Sequence, residues 1–305
     1  MSENRGCLKT GLFGCLGIIV ILTVLVGSTA LVAWNRSGKV HIEDKVLTPE
    51  SAGASTEVKG AKVTEVPAGT GRVVLDLSQG EFEIHPDQPG QSVRVEATYD
   101  SEVYLLEDYF ESFPDSSWVY GVRSHRTISG LHALFRQLMS GGDSPRIDVY
   151  LPAGVPLELL IIVKEGGFEA ELGGLWITKA DFRYKKGGFS LSIDEPLQEP
   201  MESLTISGTM GGFEAERLGN ASPRVLDVKC RMGGADIDLR GSWSRDADIR
   251  LDVAMGGMSV RVPDDVQVQG LETYTGALKV ENDEMPLPVL RFSVKEKMGE
   301  IEISD

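Results

Sequence analysis

Gly166-Gly167-Phe168-Glu169-Ala170-Glu171-Leu172 and, further along, Gly233-Gly234-Ala235-Asp236-Ile237-Asp238-Leu239 obey one rule. A glycine pair is followed by apolar residues at every second position, with mostly acidic residues between them. Period two sends alternate side chains to opposite faces of a strand. Each stretch therefore reads as a half-buried β-strand entered through a glycine corner.

The same signature recurs on both sides. Marked glycines stand at 80, 166, 187, 211, 233, 256, 276 and 299, and from Gly166 onward the intervals are 21, 24, 22, 23, 20 and 23 residues. Two positions after each glycine come Phe82, Phe168, Phe189, Phe213, Ala235, Met258, Leu278 and Ile301. Four positions after come Ile84, Ala170, Leu191, Ala215, Ile237, Val260, Val280 and Ile303. Five positions before come Leu75, Ile161, Phe182, Ile206, Val228, Leu251, Leu271 and Val294. A unit of about 22 residues, made of two short strands, a corner and a connection, is one coil of a solenoid whose inner side chains stack into columns. The sequence predicts an all-β, single-stranded β-solenoid over 71–305.

Two other repeats share features with this one and fail on detail. The LxxLxLxxN frame of leucine-rich repeats is absent, and the nine-residue period and aspartate offsets of calcium-binding rolls do not occur. Between Gly80 and Gly166 the markers fade. That stretch has room for about four coils, and strands interrupted by an insertion at 101–145 are expected there. Within the insertion Leu131, Leu134, Phe135, Leu138 and Met139 follow helical spacing, so 130–139 reads as a short amphipathic helix capping the solenoid or docking a partner. The last coil carries Lys295, Glu296, Lys297, Glu300 and Glu302, charges expected to guard an open end against strand pairing.

The N-terminus has a different character. No charged side chain occurs between Lys9 and Arg36. Residues 11–34 are largely apolar and would give roughly 36 Å of helix, enough to cross a hydrocarbon core of about 30 Å. They read as an uncleaved transmembrane helix behind a tail at 1–10, in preference to a cleaved signal ending near Ser28-Thr29-Ala30. Trp34 falls at the expected interface. Residues 35–70 show no periodicity and read as a flexible stalk. The expected location is the bacterial cytoplasmic membrane, single-pass, with the solenoid extracytoplasmic.

Charge narrows the partners. The chain has 30 basic and 46 acidic residues, a net charge of −16. Such a surface repels phosphate backbones, so nucleic-acid binding is not expected. Cys7, Cys15 and Cys230 offer no disulfide framework outside the apolar segment.

Residues with chemical potential are few. His41, His85, His125 and His132 show no metal-ligand spacing and read as surface or loop residues. Cys230 shares a column with Leu77, Val163 and Val253 and reads as a small core residue. Met210, Met232, Met255 and Met298 each precede a marked glycine and are expected to pack at the corner. Tyr104, Tyr109, Phe110, Phe113, Trp118 and Tyr120 alternate with Glu102, Glu107, Asp108, Glu111 and Asp115. That mixture could hold a glycan or, through paired carboxylates, cleave one, although part-buried strand residues are the simpler expectation. No catalytic, cofactor-binding or metal-ligating residue is assigned and no cofactor is expected.

The stretch from Val73-Val74-Leu75-Asp76-Leu77 through Gly80 to Ile84, the step Val149-Tyr150-Leu151-Pro152-Ala153-Gly154, and the repeated glycine-glycine-phenylalanine units resemble the bacterial putative-adhesin, toastrack-like β-solenoid family. Residues 249–266, from Ile249 through Met255-Gly256-Gly257-Met258 to Val266, are similar to the C-terminal domain of cell-wall-active antibiotic response proteins. The resemblance covers roughly 70–305 and implies an envelope location with a role in adhesion, stress sensing or scaffolding. It brings no shared catalytic motif. The expected function is that of a non-enzymatic, membrane-anchored surface for an envelope protein partner. A self-assembling solenoid stacked end to end, or a glycan-binding or glycan-cleaving β-helix, are the alternatives.

Overall fold

The computed structural model describes residues 41–51, 69–127, 144–271 and 287–304. They form one sheet of thirteen strands. In chain order these are β1 (Ile42–Leu47), β2 (Gly71–Asp87), β3 (Arg94–Asp100), β4 (Tyr104–Ser112), β5 (Trp118–Arg126), β6 (Arg146–Pro152) and β7 (Leu157–Glu171). They continue with β8 (Ile177–Ser192), β9 (Ser203–Glu216), β10 (Val225–Asp238), β11 (Ala247–Arg261), β12 (Gln267–Gln269) and β13 (Val289–Ser304).

The body of the sheet is a parallel ladder, β2-β7-β8-β9-β10-β11-β13. Each rung is one continuous strand of 14 to 17 residues that passes through the glycine corner rather than two strands broken there. The 15 residues of β7, laid straight, would span about 50 Å, yet residues 172–176 return the chain to β8 and reach at most about 18 Å. The strand must therefore fold at the glycines so that its two arms face each other.

The predicted columns are register partners. Phe82, Phe168, Phe189, Phe213, Ala235, Met258 and Ile301 align rung by rung, as do Leu75, Ile161, Phe182, Ile206, Val228, Leu251 and Val294. Phe168 and Phe189 stack with ring centroids 5.1 Å apart. From β2 to β11 these columns are buried, and each Leu, Ile, Val or Phe in them contributes about 1.5–3 kcal/mol by leaving water. The glycine column is a steric requirement. At Gly187, φ is +126° and a Cβ would lie 1.8 Å from the Gly166 carbonyl oxygen of the rung below.

The ends depart from the sequence reading. Gly80 pairs directly with Gly166, so no run of four coils lies between them. Instead β5 and β6 together make a single split rung on the outer edge of β2, one along each arm. Antiparallel strands β4, β3 and β1 cover that rung. The markers fade because antiparallel strands do not reuse the stacked columns, and much of the stretch expected as an insertion is integral sheet. β1 likewise lies inside the stretch expected as stalk. At the other end Gly256 pairs directly with Gly299, and no coil built on Gly276 stands between them. Gly276, Leu278, Val280, the helix expected at 130–139 and the segment 11–34 lie outside the described residues. Among the described residues no helix is long and apolar enough to cross a membrane.

Candidate functional site

The second glycine of each pair, Gly167, Gly188, Gly212, Gly234 and Gly257, is exposed. Added Cβ atoms at Gly167, Gly188, Gly234 and Gly257 would meet nothing within 4 Å. Stacking these bare positions leaves a trough of about 810 Å³ running across the rungs. It crosses β7, β8, β9, β10, β11 and β13, a length of roughly 24 Å at about 4.8 Å per rung.

Three positions after each marked glycine, Glu169, Ser190, Glu214, Asp236, Ser259 and Glu302 form one register column along the trough. Glu300 joins them at the last rung. Asp236 is engaged by the Arg261 guanidinium at 3.1 Å. The side chains of Glu169, Glu214, Glu300 and Glu302 are exposed and have no hydrogen-bond or ion-pair partner among the described residues. Several acids elsewhere on the arms are paired, as in Lys164 with Asp76 at 2.8 Å and Lys229 with Asp227 at 2.9 Å. The trough thus concentrates unneutralised carboxylates over exposed backbone, which suits recognition of a cationic, elongated group.

Other candidate residues take different positions. Trp118 and Tyr120 on β5 and Tyr104 on β4 are buried, as part-buried strand residues should be, while Tyr109 and Phe113 are exposed. Glu107 and Glu111 are exposed on β4. Asp108, on the opposite face of the strand, accepts a hydrogen bond from the Tyr120 hydroxyl at 3.3 Å. The carboxylates therefore do not converge as an acid–base pair. Burial pushes the Asp108 carboxyl above its ordinary value, against the lowering effect of the Tyr120 hydroxyl. Cys230 is buried and burial raises its thiol, so it is a core residue. The methionines differ from expectation: Met210 is 36 %, Met255 38 % and Met298 75 % exposed, since the bend turns this position out of the core.

His85 also has company that its spacing did not suggest. It lies 3.3 Å from Glu83, and with Asp148 on β6 their ligand atoms fall within 4.8 Å of one another. The Arg146 guanidinium reaches Glu83 at 2.7 Å and Asp148 at 3.3 Å, making this an ion-pair network. Glu-x-His on one strand face was visible in the sequence. Asp148 and Arg146 arrive only through the β2–β6 pairing.

No family model and no curated protein matches the chain. Among solved structures, a putative cell adhesion protein from Clostridium sporogenes overlaps 87 % of this chain and 99 % of its own, with TM-score 0.38 and 13 % identity. A putative adhesin from Bacteroides fragilis overlaps 87 % and 98 %, with TM-score 0.31 and 7 % identity. A putative adhesin from Parabacteroides distasonis overlaps 88 % and 98 %, with TM-score 0.23 and 11 % identity. Overlaps this loose transfer no activity, and the functional reading rests on the chain's own surface.

Proposed function

We propose that this chain is a non-enzymatic, membrane-anchored envelope protein whose β-ladder is a recognition surface, with the corner trough receiving an extended, lysine- or arginine-rich segment of a protein partner. The observation that carries the proposal is the row of unpaired carboxylates Glu169, Glu214, Glu300 and Glu302 over the exposed glycines. A binding surface of this kind gains attraction at several points along its length, because Glu169, Glu214 and Glu302 stand two and three rungs apart, at steps of about 10 and 14 Å. The apolar run at 11–34 supplies the anchor in this reading.

A photo-crosslinking side chain placed at Ser190 or Ser259 of the full chain in cells should capture a partner with a basic segment. Joint replacement Glu169→Gln, Glu214→Gln and Glu302→Gln should abolish that capture. Capture that survives the triple replacement removes the trough from the account. The anchor is tested separately. Carbonate-washed membranes should retain the chain, and deletion of 11–34 should release it; retention after the deletion contradicts the anchor.

A further inference from the structure

The two ends of the ladder are finished differently. At the β2 end the split rung β5/β6 is covered by antiparallel strands β4, β3 and β1. At the other end β12 pairs only with Val289, Leu290 and Arg291 of β13. Beyond Arg291 the outer edge of β13 has no strand partner among the described residues. Exposure follows. Leu251, Met258 and Val260 on β11 are at most 2 % exposed, whereas their register partners on β13 are not buried: Val294 is 37 % exposed and Ile301 and Ile303 are half-buried. An apolar column that opens at a free strand edge is a template for another strand.

The charges on that edge select the partner. Its outward residues are Lys295 and Lys297 before the corner and Glu300 and Glu302 after it. If an identical strand is laid antiparallel with the two-fold axis between Met298 and Gly299, Lys295 faces Glu302 and Lys297 faces Glu300. Val294 then faces Ile303, and Glu296 faces Ile301. This register keeps inward residues opposite inward ones and outward opposite outward, as the pleat demands. It forms four lysine–glutamate pairs across the dimer, engaging Glu300 and Glu302 at the last rung and leaving Glu169 and Glu214 as the unpaired carboxylates of the trough. A bent strand ordinarily cannot pair with its own reverse, but a two-fold axis at the bend exchanges the two arms, so the bent edges match. The register begins at Ser293 and leaves Val289–Arg291 to β12. The other end, closed by antiparallel strands, presents no parallel rung for head-to-tail stacking, so the contact closes on itself instead of propagating.

We propose that β13 pairs antiparallel with β13 of a second copy, joining two ladders end to end in a closed two-fold dimer. The charges expected to guard this end instead specify what it accepts.

The test uses the full chain in nanodiscs or mild detergent, with two charge variants. Lys295→Glu/Lys297→Glu makes every facing pair acidic, and Glu300→Lys/Glu302→Lys makes every facing pair basic. Each should weaken the dimer about tenfold or more in sedimentation, since four favourable pairs become four like-charge pairs. Mixing the two variants should restore dimerisation as a heterodimer, because all four facing pairs are again opposite in sign. Backbone amide exchange across Val294–Ile303 should slow as protein concentration rises. Three results overturn the proposal. One is a monomer at about 100 μM, a concentration at which a complex of micromolar Kd is formed; another is the absence of rescue on mixing. The third is edge protection that is equal at all concentrations, which would mean the edge is covered within one chain.

Discussion

The rings of Phe182 and Phe189 lie 5.2 Å apart across the inside of a single rung. Along a straight strand, residues seven apart are separated by roughly 23 Å. The contact therefore measures the fold at Gly187, with one arm supplying Phe182 and the other Phe189. Tyr184, also on the first arm, reaches Phe189 at 5.8 Å. The corner is thus what creates an interior, and the exposed trough outside it is a consequence of the same glycine pair.

The two glycines of a pair should respond oppositely to a methyl group. Gly187→Ala meets both a positive φ and the Gly166 carbonyl oxygen, and should cost about 3 kcal/mol or more. Gly188→Ala enters open space and should change stability by less than about 1 kcal/mol. Urea unfolding midpoints of the two variants check this. Equal losses would mean that the corner geometry is not the origin of the glycine pair.

Tyr184 and Gly208 are coupled in the same way across rungs. A Cβ at Gly208 would lie 2.0 Å from the Tyr184 hydroxyl, in a column otherwise filled by Val163, Cys230 and Val253. Gly208→Val should be severely destabilising alone and much less so beside Tyr184→Val, with a coupling of about 1–3 kcal/mol in a double-mutant cycle. The Tyr184 hydroxyl is buried without a hydrogen-bond partner among the described residues, and burial pushes its pKa up. Tyr184→Phe should therefore be neutral or stabilising by about 1 kcal/mol. A loss of stability would reveal a hydrogen bond to that hydroxyl.

How much of this was legible in the sequence depended on repetition. Parallel in-register stacking imposes one demand on every rung, so Phe168, Phe189 and Phe213 recur at fixed distance from their glycines and the ladder could be read directly. The β2 end has no such recurrence. The partnership of Gly80 with Gly166 is hidden because the chain leaves the ladder to make β3, β4, β5 and β6 before returning. Gly276 shows the opposite error: it satisfies the local pattern, yet β11 pairs with β13 past it. A repeat reports what a rung requires, not the spatial order of rungs. The trough is half visible in the sequence, since acidic residues stand between the apolar ones. That Glu169, Glu214 and Glu302 are unpaired depends on where each neighbouring cation points, which no spacing reveals.

Acid should act in opposite senses at two aspartates. At Asp238 burial favours the neutral acid, but the backbone N–H and guanidinium of Arg240 donate to its carboxylate at 2.9 and 2.6 Å, and the net pKa is lowered. Its contribution is present above the unfolded carboxylate value of about 3.9 and is lost as pH falls through the lower folded value. Asp108 is raised by burial, so its contribution is present below about pH 3.9 and is lost as pH rises through the higher folded value. Asp238→Asn should destabilise at neutral pH and flatten the acid limb of a stability–pH curve. Asp108→Asn should stabilise at neutral pH. Denaturation midpoints between about pH 3 and 7 check both signs, and a neutral-pH loss in Asp108→Asn would show that the Tyr120 hydroxyl, Lys45 and the backbone together favour the ionised form more than burial opposes it.

The trough carboxylates should prove dispensable for folding. Glu169 and Glu214 are exposed, on the outer side of buried Phe168 and Phe213, and no cation among the described residues neutralises them. Surface charges in that setting repel their neighbours along the register column, with Asp236 next to Glu214 on the adjoining rung. Glu169→Gln/Glu214→Gln should therefore leave the thermal midpoint unchanged or slightly higher at low ionic strength, with the difference vanishing as salt screens the column. Capture of the basic partner should fall in the same variant. A chain that is destabilised by the double replacement would assign these residues to the architecture, and the trough would lose its claim to be a site maintained for binding.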